Sequence, residues 1–436
     1  MRRRLSRLLG QSGSRTLAQD SGITFLSTGL ILTVNLVSGV LVARVLGTDG
    51  RGELAAIQGL AMTLAFAFTM GARHSISYHH ARNPEHGARL LSSWIVLAFL
   101  FGVVAVVVGE LIVSVLFAAQ TDAAVHLARV YMPMTLFLIF GEVGMGVVLG
   151  DEDFLFYNVI RFAQPAAIAL AYILLWALGL LTLEAALIAA AAVTVAGSVV
   201  SVGRAARRHG FGRPDVSLAR STLWYGVRAH GTDLAGNLNA RLDLVIIPAF
   251  VAAPGVGLYS IATNVAELVT RFFGALATIL LPAVTRAGAK GVRTVVRSLH
   301  WALGISAAIA ILLGALADLL IPLVYGSDFT GSALPLRILL PGAVLLAANS
   351  VVWSGLLAIN RPFTAAAAEF VGLVVTVVGL LIFLPGNGIV AAAVVSSVSY
   401  SVTFFVSLCF YRTNAGLSWR SLLPGQLKAV GAAASA

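Results

Sequence analysis

Residues 90–117 read LLSSWIVLAFLFGVVAVVVGELIVSVLF, and the only charged side chain in this run is Glu110. A helix needs about 20 predominantly apolar residues to cross the hydrocarbon core of a bilayer, so this run is long enough to span a membrane. Strands of a transmembrane barrel are about 10 residues long and alternate in polarity, which excludes that architecture. Apolar segments occupy residues 22–46, 52–72, 90–117, 127–149, 155–178, 182–202, 221–250, 256–282, 298–325, 334–358, 364–384 and 387–411. The chain is therefore predicted to be an all-α polytopic membrane protein with about twelve transmembrane helices.

The composition leads to the same conclusion. Of the 436 residues, 59% are hydrophobic and only 11% are charged, with a mean hydropathy of +0.94. Soluble domains carry about 25% charged residues, so a water-soluble globular enzyme is excluded. The single cysteine, Cys409, excludes an intrachain disulfide.

The charge distribution predicts the topology. Lys and Arg number 29 against 18 Asp and Glu, a net charge of +11. Most basic residues lie near the termini and in the even-numbered connections, and the longest of these connections is residues 203–220. Basic loops stay in the cytoplasm, so both termini are predicted to be cytoplasmic. Topology accounts for the basic balance without a nucleic-acid partner.

An internal repeat relates the two halves of the chain. Residues 50–60, GRGELAAIQGL, are matched by residues 255–265, GVGLYSIATNV, at an offset of 205 residues. Residues 150–154, GDEDF, are matched by residues 358–363, AINRPF, at an offset of about 208 residues. Both halves begin on the same side of the membrane, so the repeats are parallel.

The repeat predicts two six-helix bundles related by a pseudo-two-fold axis along the membrane normal. The first bundle is predicted to cover residues 1–203, a cytoplasmic linker residues 204–220, and the second bundle residues 221–436. A cleft between two such bundles favours alternating access over a channel. No short segment resembles the re-entrant filter of a channel.

The seventh span, residues 221–248, carries the most polar pattern of the chain. His230, Asp233, Asn237 and Arg241 follow one another at intervals of 3, 4 and 4 residues, which places them on one face of a helix. An adjacent stripe is formed by Arg228, Thr232, Asn239 and Asp243. Ionisable side chains inside a membrane are costly and tend to line a cavity or to have a partner. This face is therefore predicted to line a hydrated cavity.

The eighth span repeats the pattern with Asn264, Glu267 and Arg271. The alternative is self-neutralisation, in which Glu267 pairs with Arg271 at i,i+4 and Asp233 pairs with His230 or Arg241. In the first half, Arg161 lies near the inner end of span five, where it lines the cavity or extends to the interface.

No motif indicates an enzyme. The chain lacks the Walker lysine motif, GxSxG and HExxH. His74, His79, His80 and His86 cluster in the second cytoplasmic connection, but a zinc site needs further partners and only Glu85 is nearby. Neither a metal site nor a cofactor is predicted.

Four segments carry a resemblance to a known family. They are residues 43–60 (ARVLGTDGRGELAAIQGL), 69–82 (TMGARHSISYHHAR), 147–154 (VVLGDEDF) and 354–362 (SGLLAINRP). These segments, with the span count and the six-plus-six repeat, resemble oligosaccharide flippases of the Wzx type. Those flippases belong to the multidrug/oligosaccharidyl-lipid/polysaccharide (MOP) exporter superfamily, with the MATE antiporters and MurJ lipid II flippases.

The resemblance implies a transporter of the bacterial cell membrane that flips an undecaprenyl-diphosphate-linked oligosaccharide from the cytoplasmic to the outer leaflet. Membrane lipid, and a polysaccharide polymerase complex, are the partners it implies. An anionic, hydrated head group needs a wet cavity with guanidinium groups. The candidate residues for the head group are Arg241, Arg271, Arg228, Arg161, Asn237 and Asn264. The candidates for coupling to H⁺ or Na⁺ are His230, Asp233 and Glu267.

Three other functions remain open at this point. A MATE-like antiporter for cationic drugs would favour a cavity rich in acids and aromatic residues, and a lipid II flippase shares the superfamily. A non-transporting membrane partner of a polysaccharide assembly complex would keep the polar stripes paired and dry.

Overall fold

The computed structural model describes residues 17–287 and 289–422. Side chains are not described for residues 17–28, 275–283 and 285–290, or for Thr232 and Phe272. Both chain termini, for which a cytoplasmic position was predicted, lie outside the described residues. The described part of the chain is helical and contains no β-strand.

The main helices, numbered along the chain, are as follows. They are α1 (Leu17–Phe68), α2 (Ala72–Arg82), α3 (Gly87–Leu116), α4 (Asp122–Tyr131), α5 (Met134–Gly150), α6 (Phe154–Ala177), α7 (Leu183–His209), α8 (Val216–Ile246), α9 (Ala253–Ala287), α10 (Ala289–Tyr325), α11 (Ala333–Ala358) and α12 (Pro362–Asn414).

Two of these helices each contain two membrane spans. Helix α1 has 52 residues and is interrupted at Gly47, whose φ is 66°. Helix α12 has 53 residues and is interrupted from Pro385 to Gly388. Helices α4 and α5 follow each other closely and form one span of residues 122–150. The predicted segments therefore correspond to helices within a few residues, and the all-α fold of two six-helix bundles is confirmed.

Within the described residues, eight helical stretches are long and apolar enough to cross a membrane on length and composition alone. Helices α8 and α9 are not among the eight, and each contains side chains outside the described set. Helix α2 lies where the sequence predicted only a connection. It follows a turn in which Met70 and Gly71 adopt positive φ, a conformation that interrupts a right-handed helix.

The backbone confirms the second repeated pair of segments. Glu152 has φ 57° and Asn360 has φ 60°, at the offset of about 208 residues seen in the sequence. The turn hydrogen bonds also match, because Asp153 N donates to Val148 O just as Arg361 N donates to Leu356 O. A left-handed residue of a type other than glycine is uncommon, so the shared turn indicates a true structural repeat.

The first repeated pair lies where the two halves cross. A Cβ built on Gly52 would lie 1.9 Å from Ala253 O, and a Cβ built on Gly257 would lie 2.1 Å from Thr48 O. Each contact is the image of the other at the offset of 205 residues, as expected at a two-fold axis. Helices α1 and α9 therefore approach each other with backbone against backbone, which only glycine allows here.

The connection between the halves is short. Helix α7 ends at His209 and α8 begins at Val216, where Asp215 caps it by accepting hydrogen bonds from Ser217 N and Leu218 N. The bond from the Ser217 hydroxyl, together with the backbone bonds and nearby Arg89, lowers the pKa of Asp215. Much of the linker predicted at residues 204–220 is thus helical, and the division into domains stays a prediction.

Candidate functional site

A cavity of about 770 Å³ lies between the two halves. Helices α1, α2 and α5 of the first half line it, and α8, α9, α11 and α12 of the second half complete its walls. It has the size of a typical ligand pocket. Three of the predicted residues line it, namely His230, Asp233 and Asn237.

One wall carries an arginine–carboxylate pair. Arg73 Nε donates to Glu142 Oε2 at 2.5 Å, and Arg73 Nη2 bonds the other carboxylate oxygen. Arg73 also reaches the hydroxyl of Tyr157 at 3.4 Å. Two parallel bonds fix the guanidinium in one orientation, so α2 and α5 are held together at the cavity surface.

A histidine–carboxylate contact connects the two halves across the cavity. His74 Nε2 lies 3.3 Å from Asp233 Oδ2, so Asp233 pairs with α2. The two partners considered from the sequence, His230 and Arg241, were wrong because side chains of another helix were invisible to that reasoning. His230 instead packs against the ring of Phe66, with centroids 4.8 Å apart.

A smaller cavity of about 380 Å³ adjoins the first and shares Asn237 with it. Arg241, Glu267 and Arg271 line it. Glu267 forms the predicted i,i+4 ion pair with Arg271. Arg241 is exposed and forms no ion pair or hydrogen bond with any described residue.

Two further cavities extend from this region. One, of about 210 Å³, lies between α1 and α8 and is lined by Arg241 and Asn237. The other, of about 310 Å³, is lined by Asn264, Arg271 and Arg51. Nε of Arg51 is buried and has no hydrogen-bond partner among the described residues. The structure therefore brings seven of the nine predicted residues to connected or adjacent cavities.

Two predicted residues lie elsewhere. Arg228 is exposed on α8 and lines none of the four cavities. Arg161 lies over the ring of Tyr157, 5.4 Å from its centroid, and also lines none of these cavities. Their roles stay predictions.

A buried polar cluster of the second half was not predicted, although Asn239 and Asp243 belong to the adjacent stripe noted on the seventh span. Asn349 Nδ2 donates to Glu369 Oε1 at 2.7 Å, and Asn239 Nδ2 lies 3.5 Å from Glu369 Oε2. Asn239 Oδ1 in turn accepts from Thr376 and Ser399, both at 2.9 Å. Glu369 is only 7% exposed and lines the largest cavity.

Asp243 is a second buried carboxylate, one helical turn from Asn239. It accepts hydrogen bonds from Tyr259 at 2.6 Å and from Ser396 at 3.1 Å. Among the described residues, neither Asp243 nor Glu369 has a basic partner within ion-pair distance. The available signal was the polar spacing of the last span, where Ser396, Ser399 and Thr403 recur at helical intervals.

Comparison with known proteins supplies the family. A sequence profile described as polysaccharide biosynthesis protein matches residues 17–288, which is more than half of the chain. The chain belongs to this polysaccharide biosynthesis protein family. Membership confirms the resemblance found in the sequence and agrees with a transport protein rather than an enzyme.

A curated relative of the family's type is similar to part of the chain. It is the probable low-salt glycan biosynthesis flippase of Haloferax volcanii, 27% identical over 220 residues. The match covers 47% of this chain and 46% of the relative, so it spans about half the length of the curated protein.

Solved structures share the fold. A lipid II flippase MurJ in an inward closed conformation has a TM-score of 0.75 and 15% identity, covering 96% of this chain and 91% of that one. An inward-facing multidrug resistance MATE family transporter of the MOP superfamily has a TM-score of 0.70 and 16% identity, covering 91% and 99%. At identities this low, the similarity shows a shared fold and nothing further about function.

Proposed function

We propose that the chain flips an undecaprenyl-diphosphate-linked oligosaccharide between the leaflets of a bacterial cell membrane by alternating access. The observation that carries the proposal is Arg241, which stands at the junction of two cavities between the halves without an anionic partner among the described residues. A charge in a span costs about 2.5–3.5 kcal/mol on insertion scales. An anionic substrate passing through the cavity offsets that cost.

The charge balance of the cavities supports an anionic substrate. The acids Glu142, Asp233 and Glu267 each have a basic partner, whereas Arg241 and Arg51 have none in the described part of the chain. Guanidinium groups match the geometry of phosphate oxygens. Glu369 is the one acid in these linings with only amide partners among the described residues, against two unpaired arginines, so the balance favours an anionic substrate over a cationic drug.

The hydrogen-bonding groups of the cavities suit a glycan head group. Asn237 is shared by three cavities, and Asn264 lines a fourth. Arg271 lies between them and is held in place by Glu267. These amides and the free arginine give a saccharide diphosphate both neutral and charged contacts, while its polyprenyl chain stays in the lipid.

Coupling to H⁺ or Na⁺ is assigned in this proposal to carboxylates without a basic partner. Of the predicted coupling residues, Glu267 is paired with Arg271, which opposes a change of charge, whereas Asp233, which contacts His74, and His230 remain candidates. Glu369 and Asp243 have only neutral partners and are buried, so a proton or sodium ion supplies the missing charge. We therefore add these two residues to the coupling site.

The proposal also includes an orientation. The end of the bundle that carries Arg73, Arg204 and Arg208 is called the basic end, and the positive-inside rule places it in the cytoplasm. Both termini are then cytoplasmic, and the linked glycan is delivered to a polysaccharide polymerase complex on the opposite side.

The experiment is reconstitution of the purified chain in liposomes with a labelled polyprenyl-diphosphate oligosaccharide. We expect protein-dependent flipping that falls at least about tenfold, a loss of about 1.4 kcal/mol of binding, in Arg241→Ala. Arg220→Ala is the matched control, because Arg220 lies on the same helix, is exposed and lines none of the four cavities. Full activity of Arg241→Ala, or gradient-driven transport of a cationic dye without glycan flipping, would overturn the proposal.

A further inference from the structure

Two histidines and an aspartate meet at the basic end, outside the cavities. His80 Nε2 lies 2.9 Å from Asp151 Oδ1, and His209 Nε2 lies 2.9 and 3.0 Å from the two oxygens of the same carboxylate. One ligand atom from each of the three side chains lies within 4.8 Å of the others. The residues come from α2, from the turn after α5, and from the end of α7, so the cluster joins three helices of the first half.

The position favours a cation. His80 is in the last turn of α2, Asp151 is the C-cap of α5, and His209 is the last residue of α7. The C-terminus of a helix carries a partial negative charge of about half an electron. Three such ends and a carboxylate therefore converge on the space between the two imidazoles.

The two imidazole rings are held in place by packing against glycines. A Cβ on Gly150 would lie 2.9 Å from the ring of His80, and a Cβ on Gly87 would lie 2.7 Å from His80 Cε1 and 3.0 Å from His209 Nδ1. His80 is 1% exposed, and its Nδ1 has no partner among the described residues. The single polar contact of this buried ring is thus made through Nε2, the atom directed at the cluster.

The neighbouring charges leave room for a further positive charge. Arg204 pairs with Asp153 at 2.8 Å. Arg208 lies between the two carboxylates, 3.5 Å from Asp151 and 3.6 Å from Asp153, with a half-exposed side chain. Arg208 can therefore keep its contact with Asp153 when another cation occupies Asp151.

We propose that His80, Asp151 and His209 form a binding site for a zinc-type divalent cation. Two imidazole nitrogens and one carboxylate oxygen are a common ligand set for this ion. Zinc–ligand bonds of about 2.0–2.2 Å separate neighbouring ligand atoms by roughly 3.4 Å, so the present contacts need to open by about half an ångström. The metal takes the place of the proton between each Nε2 and the carboxylate: in a neutral ring that proton moves to Nδ1, and an imidazolium, which already carries a proton on Nδ1, releases one to the solvent. Water completes the coordination.

The sequence suggested neighbours in the chain as partners of His80. His74, His79 and His86 are near His80 in the chain, yet the structure places His80 against residues 71 and 129 positions away. A bound ion would fasten α2, α5 and α7 to one another at the basic end. It would stabilise the first half without touching the substrate path, so this site does not depend on the proposed transport function.

The experiment is a metal titration of the full-length purified chain carrying a tag without histidine. Zn²⁺ binding is measured calorimetrically, and Co²⁺ is used as a probe because its visible absorption reports nitrogen and oxygen ligands. We expect one site per chain, and affinity at least about 100-fold weaker in His209→Ala. His86→Ala is the control, because His86 belongs to the same group of histidines and lies outside the cluster; it should bind as the unaltered chain does.

Asp151→Asn is a second variant, chosen because the amide keeps the size of the side chain and can still accept a hydrogen bond. We expect it to lose the cobalt spectrum while remaining folded by circular dichroism. The proposal is overturned if the folded, unaltered chain shows no saturable one-to-one binding. It is equally overturned if His209→Ala and Asp151→Asn both retain it, since the cluster would then be only a hydrogen-bonded contact between helices.

Discussion

Two carboxylates that line the same cavity have different kinds of partner. Glu142, on α5 of the first half, is held by two hydrogen bonds from Arg73. Glu369, on α12 of the second half, is more deeply buried and has only the amides of Asn349 and Asn239 as partners. The first wall therefore carries a closed ion pair, whereas the second carries an acid without a counter-ion among the described residues.

The difference assigns separate tasks to the two walls. A bidentate ion pair resists a change of protonation, because losing either charge leaves the other unpaired in a poorly solvated place. A carboxylate among neutral donors can take up a proton or a small cation without breaking such a pair. If transport is coupled to an ion gradient as proposed, we expect the Glu369 wall to respond to the ion and the Arg73–Glu142 wall to hold α2 and α5 together.

The largest expected effect comes from removing the charge of the second wall. In Glu369→Gln, the amide keeps the volume and one oxygen that accepts from Asn349, so the protein should fold normally. Acceleration of flipping by an imposed H⁺ or Na⁺ gradient should be lost. Flipping in liposomes with and without the gradient measures this. Glu110→Gln, at the far end of α3, is the matched control, and an unchanged gradient response in Glu369→Gln would remove the distinction between the walls.

The next effect comes from opening the ion pair of the first wall. Arg73→Met leaves Glu142 without its cation. The free energy of unfolding should therefore fall by about 2–3 kcal/mol. This is less than the loss expected for a fully buried pair, because both side chains are partly exposed. Reversible denaturation in mixed micelles measures it. Adding Glu142→Gln to Arg73→Met should recover part of the loss. If Glu369→Gln is as destabilising as Arg73→Met, the two walls do not differ in the way described.

A smaller effect tests the close crossing of α1 and α9 on the two-fold axis between the halves. Gly52→Ala places a methyl group against Ala253 O, and overpacking of this kind costs about 1–2 kcal/mol. Because Gly257→Ala makes the symmetry-related contact, both variants should lose stability and transport to a similar extent. Gly59→Ala is the control on the same helix, where a Cβ meets nothing within 4 Å. Unequal effects of the two variants would argue against a crossing on the two-fold axis.

The smallest effect concerns a third carboxylate, which lies outside the spans. Although burial raises it, hydrogen bonds from His80 and His209 and the charge of Arg208 hold the pKa of Asp151 below its ordinary value. A carboxylate with a lowered pKa in the folded state contributes stability above its unfolded pKa, about 3.9, and this contribution is lost as the pH falls through the folded value. Unfolding curves from pH 6 downward should therefore show a steeper acid loss for the unaltered protein than for Asp151→Asn. Parallel curves would mean that the cluster adds nothing through this charge.

How far sequence reasoning reached depended on the distance between partners along the chain. Glu267 and Arg271 are four residues apart on one helix, and their pair was considered from the sequence as the alternative to cavity lining. His74 and Asp233 lie on different helices, and their pair was not. The polar spacing of the seventh span was enough to predict that Asn237 and Arg241 face a cavity, but it also included Arg228, which lies outside. The rotation of a helix against its neighbours settles such cases, and a helical repeat of 3.6 residues constrains it only loosely.

Sequence alone was sufficient for the number of spans and the duplicated half, because hydropathy and repeated turns are properties of short segments. Even the left-handed backbone conformation that Glu152 and Asn360 share lies in a repeat that the sequence itself shows. Tertiary structure alone decided which ionisable side chains have an oppositely charged or basic partner. Arg73 lies against Glu142 and His74 against Asp233, whereas Glu369 has only amide partners. The physical reason is that the free energy of a charge within a membrane depends on the groups that packing brings within a few ångströms, and those groups come from helices far away in the chain.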